Sequence, residues 1–332
     1  MPTENRRRPT MADVARRAGT STAVVSYVVN GGPRPVAAST RALVEQAIAE
    51  LGYRRDPLAG ALSAGKTNLV GLLVPDSANA FFSEMARHIE QQARSRGLLM
   101  LLGNTSYDPA VEQDYEAAFA DLRAMGTLVT SIAAEAQQAD GCPRVYVHSK
   151  PAGTLGPSVV FDDLNGAIEA VAHLRWHGFS DIHCVTGPDD FGPAGLRKRG
   201  WAGALTTGGM PDHGRLHRVP FERMPAEVGL REMLSSADPV PRAVFATTDE
   251  LALATVRAAM SLHLRVPEDL AVIGFDGVQE AIHGRLRLTT MSVSLRDLAI
   301  RALDALDQWE ASGQELSIVL PAALAVGETC GC

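Results

Sequence analysis

Apolar residues recur at helical spacing close to the start of the sequence. Met11, Val14, Ala15 and Ala18 are spaced at i, i+3, i+4 and i+7, so they share one face of a helix. Gly19 follows, and glycine commonly ends a helix because it adopts the left-handed backbone conformation without steric cost. The pattern therefore predicts a short helix that stops at a tight turn.

A second short helix is predicted directly after this turn. Ser21 is suited to cap its first turn, as Thr10 is for the helix before it, and Asp13 completes a capping-box pattern with Thr10. The apolar side of the second helix is supplied by four valines: Val24, Val25, Val28 and Val29. Two helices joined by such a turn are typical of a DNA-binding helix-turn-helix, although an ordinary helical hairpin has the same pattern.

A third helix is predicted over residues 39–51, after the turn at Asn30-Gly31-Gly32. Five apolar residues are expected to face inward: Leu43, Val44, Ala47, Ile48 and Leu51. A short segment, DPLAGAL at residues 56–62, follows the helix. Three helices and a short segment would form a small module at the start of the chain.

The remainder of the chain alternates between apolar strand-like runs and helical stretches, in two series. Strands are expected at residues 69–74, 98–102, 128–132, 145–147, near 159, and at 182–185, 216–219, 243–246 and 270–274. Helices are expected at 82–96, 112–125, 166–177, 199–207, 226–234 and 250–262. This order predicts two lobes with parallel sheets covered by helices on both faces. Ligands of such sheets bind beyond the carboxyl ends of the strands, which here would face a cleft.

Charge is divided unevenly along the chain. Residues 1–66 hold ten Lys and Arg against five Asp and Glu, a net charge of +5, which leaves −12 for the rest of the total of −7. A small basic module on a large acidic body suits a protein that touches phosphates at one end only.

Composition bounds the class of protein. The 332 residues are too many for a single core, and we expect two or three domains. We find no apolar run long enough to span a bilayer and no signal peptide, so a cytoplasmic protein with no membrane partner is expected. The four cysteines suggest a reduced protein, and we expect no structural disulfide, no metal and no cofactor.

The segments DVARRAGTSTAVVSYVVNG, VAASTRALVEQAIAELGY and DPLAGAL, in this order, resemble the headpiece and hinge of the LacI/GalR family of transcriptional regulators. Further motifs resemble the family's effector domain: ANAFF, VVFDDLNGAIEAVAHL, GLRKRGW, TTDELALATVRA, VPEDLAVIGFDG and LTTMSV. The resemblance covers essentially the whole chain. It implies an α/β protein, with an all-α helix-turn-helix headpiece and a two-lobed, periplasmic-binding-protein-like effector domain with parallel sheets.

The resemblance also implies domain boundaries. The headpiece would take residues 1–66, with a hinge helix at about 57–63. The effector-binding and dimerisation domain would take residues 67–332. Its first lobe would hold about 67–162 and 292–320, and its second lobe about 163–291 and 321–332.

The resemblance assigns DNA-binding roles in the headpiece. Thr22, Ala23 and Tyr27 match positions that face base edges, and Leu62 matches a hinge leucine that wedges into the minor groove. Residues that match or suit backbone contacts are Ser21, Ser26 and Asn30, with Thr10 and Arg34 as further candidates. Many relatives carry arginine in place of Tyr27, and tyrosine cannot make arginine's bidentate contact to guanine. Further departures are Ala37, where relatives have a serine cap, and Gly60 in the hinge.

The resemblance likewise assigns effector contacts in the cleft. The matching residues are Asp162, Arg197, Asp249 and Asp276, with Phe81 as an aromatic candidate. Carboxylates and a guanidinium can bracket hydroxyl groups by paired hydrogen bonds, which suits sugars and related polar metabolites. The alternative for Arg197 is a structural ion pair with an acidic neighbour. Thr248 and Val293 depart from the residues that relatives usually carry, so no particular ligand is implied.

These observations favour a transcriptional regulator, most simply a repressor that binds a palindromic operator as a homodimer and responds to a small polar effector. A dimer is preferred over a zipper-linked tetramer because no heptads follow the effector domain. The alternative is a solute-binding protein of a transporter, which would have the lobes without the headpiece. Residues 60–67 match a phosphate-loop pattern, but a strand follows it instead of preceding it, which argues against nucleotide hydrolysis. We find no catalytic constellation and expect no enzyme activity.

Overall fold

The computed structural model describes residues 9–32, 34–54, 67–131, 143–209, 214–237 and 239–332. The chain divides into two compact units, unit 1 (Met1–Thr67) and unit 2 (Asn68–Cys332). The predicted hinge helix with Leu62, and nearly all of the phosphate-loop pattern, lie outside the described residues.

The described residues of unit 1 form three helices around a small apolar core. They are α1 (Met11–Ala18), α2 (Thr22–Asn30) and α3 (Ala38–Leu51). Each helix contributes at least one fully buried valine to the core: Val14, Val25 and Val44. The predicted helix, turn, helix order at the start of the chain is therefore confirmed.

The predicted helix ends of unit 1 are also confirmed. The backbone N–H of Thr10 donates to the Asp13 carboxylate at 2.9 Å and the Thr10 hydroxyl accepts from the Asp13 N–H at 3.3 Å, which completes the capping box. The Ser21 hydroxyl accepts from the N–H of Val24. Gly19 has a φ of 65°, in the left-handed region where a larger residue would be strained.

One prediction about α3 is wrong. Leu43 was expected to face the core, but 53% of its surface is exposed. The buried positions are Val44 and Ala47, with Ile48 and Leu51 packed partly against them. Leu43 lies one residue before this stripe, about 100° around the helix from Val44, so it falls at the margin of the apolar face.

The described residues of unit 2 form two six-stranded sheets, and helices connect many of the successive strands. The strands are β1 (Leu69–Val74), β2 (Leu99–Asn104), β3 (Gly126–Val129), β4 (Arg144–His148), β5 (Ser158–Phe161), β6 (Ile182–Thr186), β7 (Leu216–Arg218), β8 (Ala243–Ala246), β9 (Ala271–Asp276), β10 (Thr289–Val293), β11 (Ser317–Leu320) and β12 (Ala322–Ala325). The helices are α4 (Ala80–Ser95), α5 (Pro109–Asp121), α6 (Asp163–Trp176), α7 (Gly192–Thr207), α8 (Arg223–Ser236), α9 (Asp249–Ser261), α10 (Gln279–His283) and α11 (Leu295–Ser312).

Each sheet is the centre of one lobe. The strand order is β11-β5-β4-β3-β1-β2 in lobe 1 and β12-β10-β9-β8-β6-β7 in lobe 2. Neighbouring strands of the described chain are parallel except for β12, which runs antiparallel to β10. The chain passes between the lobes three times: at Asp162 after β5, at Ser294 after β10, and at Pro321 after β11.

Helix α7 begins earlier than expected. The sequence predicted a helix from residue 199, but the helix starts at Gly192, with Pro193 in its first turn. Glycine and proline are both poor helix formers in a helix interior. Proline is nevertheless well tolerated at the start of a helix, because the N–H that it lacks has no partner within the helix there. The earlier start brings the first turn of α7 to the cleft, where it contributes to the site described below.

Candidate functional site

A cavity of about 310 Å³ lies between the two lobes of unit 2, within the usual size range for a small-molecule site. Its wall is built from residues that end strands or follow their carboxyl ends, as expected for open parallel sheets. Lobe 1 contributes Asn79, Phe81, Phe82, Tyr107, Thr130, His148 and Ser149. Lobe 2 contributes Asp189, Phe191, Ala194, Arg197, Phe221, Thr248 and Asp276.

Arg197 is the buried cation of this cavity, with only 1% of its surface exposed. Its guanidinium donates to the Asp163 carboxylate at 2.7 Å, to the Asp276 carboxylate at 2.8 Å and to the carbonyl of Thr247 at 2.7 Å. It also lies over the ring of Phe275, with 3.8 Å from its central carbon to the ring centroid. Arg197 and Asp276 both line the cavity, as the effector-contact prediction requires, and Arg197 also has the structural ion pairs that were its alternative role.

The pKa of the Asp276 carboxyl group lies close to neutral pH. Burial raises its pKa to about 6, although the Arg197 guanidinium opposes this shift. The carboxylate accepts from Arg197 and lines the cavity, so it can also accept a hydrogen bond from a bound hydroxyl group.

His148 lies among aromatic rings on the lobe 1 side. Its ring centroid is 4.5 Å from that of Phe81 and 6.0 Å from those of Phe82 and Phe161. Burial and the nearby Arg197 hold the pKa of His148 well below its ordinary value, so the imidazole is neutral. Either ring nitrogen of a neutral imidazole can be the donor, which leaves this group able to match a ligand donor or acceptor.

Three buried polar atoms in the cavity wall have no hydrogen-bond partner among the residues that the structure describes. They are Thr130 Oγ1, His148 Nδ1 and Arg197 Nη2. A buried polar atom without a partner destabilises a protein by about 1–3 kcal/mol. The three residues line one cavity, and a polar molecule that reaches these atoms there would supply the missing partners.

A stacked aromatic pair joins the two lobes across the cavity. Tyr107 follows β2 in lobe 1 and Phe221 follows β7 in lobe 2, with ring centroids 6.4 Å apart and planes only 8° from parallel. Burial raises the pKa of the Tyr107 phenol, so its hydroxyl stays protonated. The pair gives the cavity an apolar boundary that both lobes must form together.

The backbone is unusual at three of the lining residues. Tyr107, His148 and Asp276 have φ values of 60°, 64° and 128°, in the region that side chains other than glycine rarely adopt. Such conformations cost about 1–3 kcal/mol each and cluster at functional sites. They aim these three side chains into the cavity from the ends of their strands or loops.

The structure gives Asp162 and Asp249 roles outside the cavity wall, in contrast to Phe81, Arg197 and Asp276. Asp162 caps helix α6 by accepting from Asn165. Asp249 is fully buried; it accepts from the N–H groups of Gly277 and Val278, at 2.8 and 2.9 Å, and from the Thr290 hydroxyl. Its carboxylate thus fixes the turn that follows β9, which carries Asp276.

Several lining residues were not predicted from the sequence. His148 could have been found, because it ends the strand predicted at 145–147 and the carboxyl end of a parallel strand is where ligands bind. Tyr107 and Phe221 follow strands by several residues, and no local pattern marks them. Their positions depend on loop conformations that the sequence alone does not define.

The predicted DNA-reading surface is the amino-terminal end of α2 in unit 1. Ser21, Thr22 and Ala23 are exposed there, and unpaired N–H groups at a helix start favour phosphate oxygens. Arg34 is exposed as well, whereas the Thr10 hydroxyl is already engaged by Asp13 at 2.7 Å. The structure therefore leaves the α2 residues better placed than Thr10 for contact with a backbone phosphate.

Tyr27 and Ser26 are half-buried on α2. The Tyr27 ring packs against Gly32, where a side chain larger than hydrogen would collide with it. This packing restricts the directions in which the phenol can point. Asn30 closes α2, and Leu62 is outside the described residues.

Comparisons with known proteins agree with both halves of this description. A family model described as bacterial regulatory proteins, lacI family, matches residues 10–56, and one described as a periplasmic binding protein-like domain matches residues 171–330. The ribose operon repressor of Escherichia coli (strain K12) is 33% identical over 306 residues, which cover 90% of this chain and 92% of that protein. The transcriptional regulator DegA of Bacillus subtilis (strain 168) is 30% identical, with 87% and 88% covered.

Solved structures give the same result. A crystal structure of the Lac repressor bound to ONPG in the repressed state matches with a TM-score of 0.85 at 25% identity, covering 97% of this chain and all of that chain. No helix among the described residues is both long and apolar enough to cross a membrane.

Proposed function

The chain belongs to the lacI family of bacterial regulatory proteins, and from this premise we propose that it represses transcription as a homodimer on a palindromic operator, controlled by a small, sugar-like metabolite in the inter-lobe cavity. The observation that carries the effector half is the set of three unpaired buried polar atoms, Thr130 Oγ1, His148 Nδ1 and Arg197 Nη2, in one cavity.

Unit 1 provides the contacts to DNA. Helix α2 enters the major groove with Thr22, Ala23 and Tyr27 towards base edges, while Ser21, Ser26 and Arg34 contact phosphates. Ala23 offers only an apolar contact, for instance to a thymine methyl group, and Tyr27 cannot form a bidentate pair with guanine. Operator preference at the Tyr27 position therefore differs from that of relatives with arginine.

The cavity selects a ligand with hydroxyl groups and an apolar face. Asp276 accepts from a ligand hydroxyl, Arg197 Nη2 donates to a ligand oxygen, and Thr130 and His148 complete the polar contacts. Phe81, Tyr107 and Phe221 supply flat apolar surfaces. Sugars combine both properties, and the names of similar proteins include a ribose operon repressor.

We infer binding without catalysis at this cavity. No lining hydroxyl is hydrogen-bonded to His148 in the part of the chain that the structure describes, as a nucleophile activated by a base would be. A transporter's solute-binding protein, the alternative function, has no use for a helix-turn-helix unit with its own buried core. A regulator that acts inside the cell accounts for both units.

The test uses the full chain and two separate measurements. Sugars, nucleosides and purines are screened by thermal shift, and the operator is isolated by selection from random DNA. Operator affinity is then measured with and without the ligand found. We expect Asp276→Asn to lose ligand binding with operator affinity kept, and Thr22→Ala to lose operator affinity with ligand binding kept.

Two results would contradict the proposal in distinguishable ways. If selection enriches no DNA sequence, sequence-specific DNA binding is excluded. If a ligand binds the cavity with no change in operator affinity, the DNA-binding half stands and effector control fails.

A further inference from the structure

Lobe 2 carries a cluster of four potential metal ligands away from the cavity wall. His173 and His177 lie one turn apart on α6, and Cys330 and Cys332 lie in the segment after β12. The His173 Nε2 atom is 3.4 Å from both sulfurs, His177 Nε2 is 3.1 Å from Cys332 Sγ, and the two sulfurs are 3.4 Å apart. One ligand atom from each residue lies within 4.8 Å of the others.

Four of the six separations are close to those of a tetrahedral zinc site, and the other two are at most 4.8 Å, so small side-chain rotations would complete the geometry. With Zn–S near 2.3 Å and Zn–N near 2.0–2.1 Å, ligand atoms at tetrahedral angles are about 3.3–3.8 Å apart. The contacts between 3.1 and 3.4 Å in the cluster are within a few tenths of an ångström of that range. Two thiolates and two imidazoles are also the ligand types that favour Zn²⁺ over harder ions.

The local backbone brings each pair of ligands together. Residues four apart on a helix share a face, which places the His173 and His177 rings side by side with centroids 4.8 Å apart. Gly331 has a φ of 93°, a conformation that glycine adopts readily, and it turns the chain so that the cysteines on either side converge.

The cysteine segment is fixed before any metal binds. The Thr329 carbonyl accepts from the N–H of Val272 on β9, and the Thr329 hydroxyl donates to the Val272 carbonyl, both at 2.7 Å. These two hydrogen bonds attach the segment to the backbone of β9, which lies inside the lobe 2 sheet. Two of the ligands therefore sit on a rigid helix and two on an anchored segment, as a pre-formed site requires.

A neighbouring hydroxyl is oriented towards one sulfur. Thr289 Oγ1 accepts from the N–H of Gly327 at 2.9 Å, so its own proton is free to be donated to Cys330 Sγ, 3.1 Å away. Hydrogen bonds of this kind to a ligand atom are typical around metal sites, where they orient the ligand and stabilise its anionic form. Cys330 is fully buried, and burial of a thiolate needs such compensation.

We propose that His173, His177, Cys330 and Cys332 bind one Zn²⁺ ion that fastens the segment at 329–332 to helix α6. Four protein ligands complete the coordination sphere, so the site is structural and leaves no position open for a substrate. The expectation from the sequence, that the protein binds no metal, rested on the lack of ligand-spaced partners for Cys142 and Cys184, with only Cys330 and Cys332 close together. It did not anticipate that α6 would bring two histidines to a pair of cysteines more than 150 residues later in the chain.

The test is the zinc content of the full chain, produced without a histidine tag and purified under reducing conditions. We expect one zinc ion per chain by elemental analysis. Zinc should be lost in Cys332→Ser and in His177→Ala, and kept in His283→Ala, which removes an exposed histidine outside the cluster. Cys332→His preserves four ligands and should restore zinc binding.

Cobalt binding gives a second test, because its absorption spectrum changes only if these side chains bind the metal. Co²⁺ added to zinc-free protein should give the absorption of tetrahedral cobalt with a thiolate-to-cobalt charge-transfer band. That band should weaken in Cys332→His, which has one thiolate fewer. A zinc chelator should lower the melting temperature of the wild type and leave that of Cys332→Ser unchanged.

The proposal is overturned by any of three results. The purified chain could hold no zinc and give no charge-transfer band with Co²⁺. Zinc content could be the same in the wild type and Cys332→Ser. Mass spectrometry could find Cys330 and Cys332 joined as a disulfide in protein kept reduced throughout. None of these outcomes affects the proposed regulatory function, because the cluster is not part of the cavity wall.

Discussion

Arg197 combines a structural and a ligand-binding role in one side chain. Three of its hydrogen bonds are made within the protein, to Asp163, Asp276 and Thr247, while Nη2 has no partner among the described residues. Replacing it with alanine would leave two buried carboxylates without their cation, which typically destabilises a protein by about 3–5 kcal/mol. A loss of ligand response in Arg197→Ala would therefore not distinguish binding from folding.

Thr130→Val is a cleaner probe of the cavity. The substitution removes a buried hydroxyl that has no partner among the described residues, so we expect the ligand-free protein to gain about 1 kcal/mol of unfolding free energy. Ligand affinity should fall roughly tenfold, because about 1.4 kcal/mol of hydrogen bonding is lost. Calorimetric ligand titration and denaturant unfolding measure the two effects.

The matched control is Thr255→Val, which removes another fully buried hydroxyl. Thr255 donates to the carbonyl of Leu251 within α9, so its loss should lower stability and leave ligand affinity unchanged. Equal effects of the two substitutions on ligand affinity would exclude a direct contact between Thr130 and the ligand.

Asp276 predicts a pH dependence for ligand binding. Its pKa of about 6 lies above the ordinary value of 3.8, so the carboxylate gains a proton as the pH falls through 6 and can no longer accept from both Arg197 and a ligand hydroxyl. At pH 5, one unit below this pKa, about a tenth of the carboxylate remains, and we expect affinity to be roughly tenfold lower than at pH 8. Ligand titrations across this range test the prediction, and an affinity that stays constant from pH 8 to pH 5 would contradict it.

At the residue scale, both Arg197, on helix α7, and Asp276, at the end of β9, line the cavity, and their role as effector contacts stays a prediction. Prediction from the sequence failed for Tyr107, whose φ of 60° depends on a loop conformation that no periodic pattern records. Asp249 does not line the cavity, because a carboxylate at the start of a helix can face either a ligand or a neighbouring turn. The backbone N–H groups of Gly277 and Val278 donate to the Asp249 carboxylate, and these hydrogen bonds turn it towards the neighbouring turn.

At the element scale, the helices of unit 1 differ in how their first turns are capped. Helix α1 has a complete capping box, whereas Ala37 gives α3 no side-chain cap. We expect Ala37→Ser to stabilise α3 by about 0.5–1 kcal/mol and Thr10→Ala to destabilise α1 by about 1 kcal/mol. Amide hydrogen exchange in the full chain measures both changes helix by helix.

The two substitutions control for each other, because the expected changes in helix stability have opposite signs. Exchange in α3 should slow in Ala37→Ser, and exchange in α1 should accelerate in Thr10→Ala. If Ala37→Ser leaves α3 unchanged, its N-terminal N–H groups already have another partner.

Most elements of unit 2 were predictable because alternating apolar runs and helical stretches have distinct periods. The boundaries were less so: the start of α7 at Gly192 depends on proline being accepted in a first helical turn. The proximity of the four potential metal ligands was also beyond prediction. The spacing of His173 and His177 is visible in the sequence, but their proximity to Cys330 is a consequence of the tertiary fold.

At the scale of the whole molecule, the division of charge predicts how operator binding responds to salt. Residues 1–66 carry a net charge of +5 and the rest of the chain −12, so phosphate contacts belong to unit 1. If six to ten phosphates are contacted, affinity should fall roughly 10³- to 10⁵-fold between about 50 and 200 mM salt. Fluorescence anisotropy with labelled operator DNA measures the slope.

Substituting single arginines tests which unit makes the phosphate contacts. Arg34→Ala, on the exposed surface of unit 1, should reduce the slope of log affinity against log salt by about 1. Arg231→Ala, exposed on unit 2, should leave the slope unchanged. An affinity independent of salt would be incompatible with DNA contacts by unit 1.

The chain passes more often between the two lobes than between the two units. This difference determines which parts of such a protein can be exchanged separately. The two lobes are joined by three passages, at Asp162, Ser294 and Pro321, so neither lobe is one continuous stretch of the gene. Unit 1 joins unit 2 through a single junction at residues 67–68. One recombination event at that junction can give an existing sensor a new target sequence, whereas exchanging lobe 2 alone needs three coordinated breakpoints and exchanging lobe 1 alone needs four. Target choice and metabolite choice are therefore free to evolve separately, while the two halves of the ligand site are inherited together.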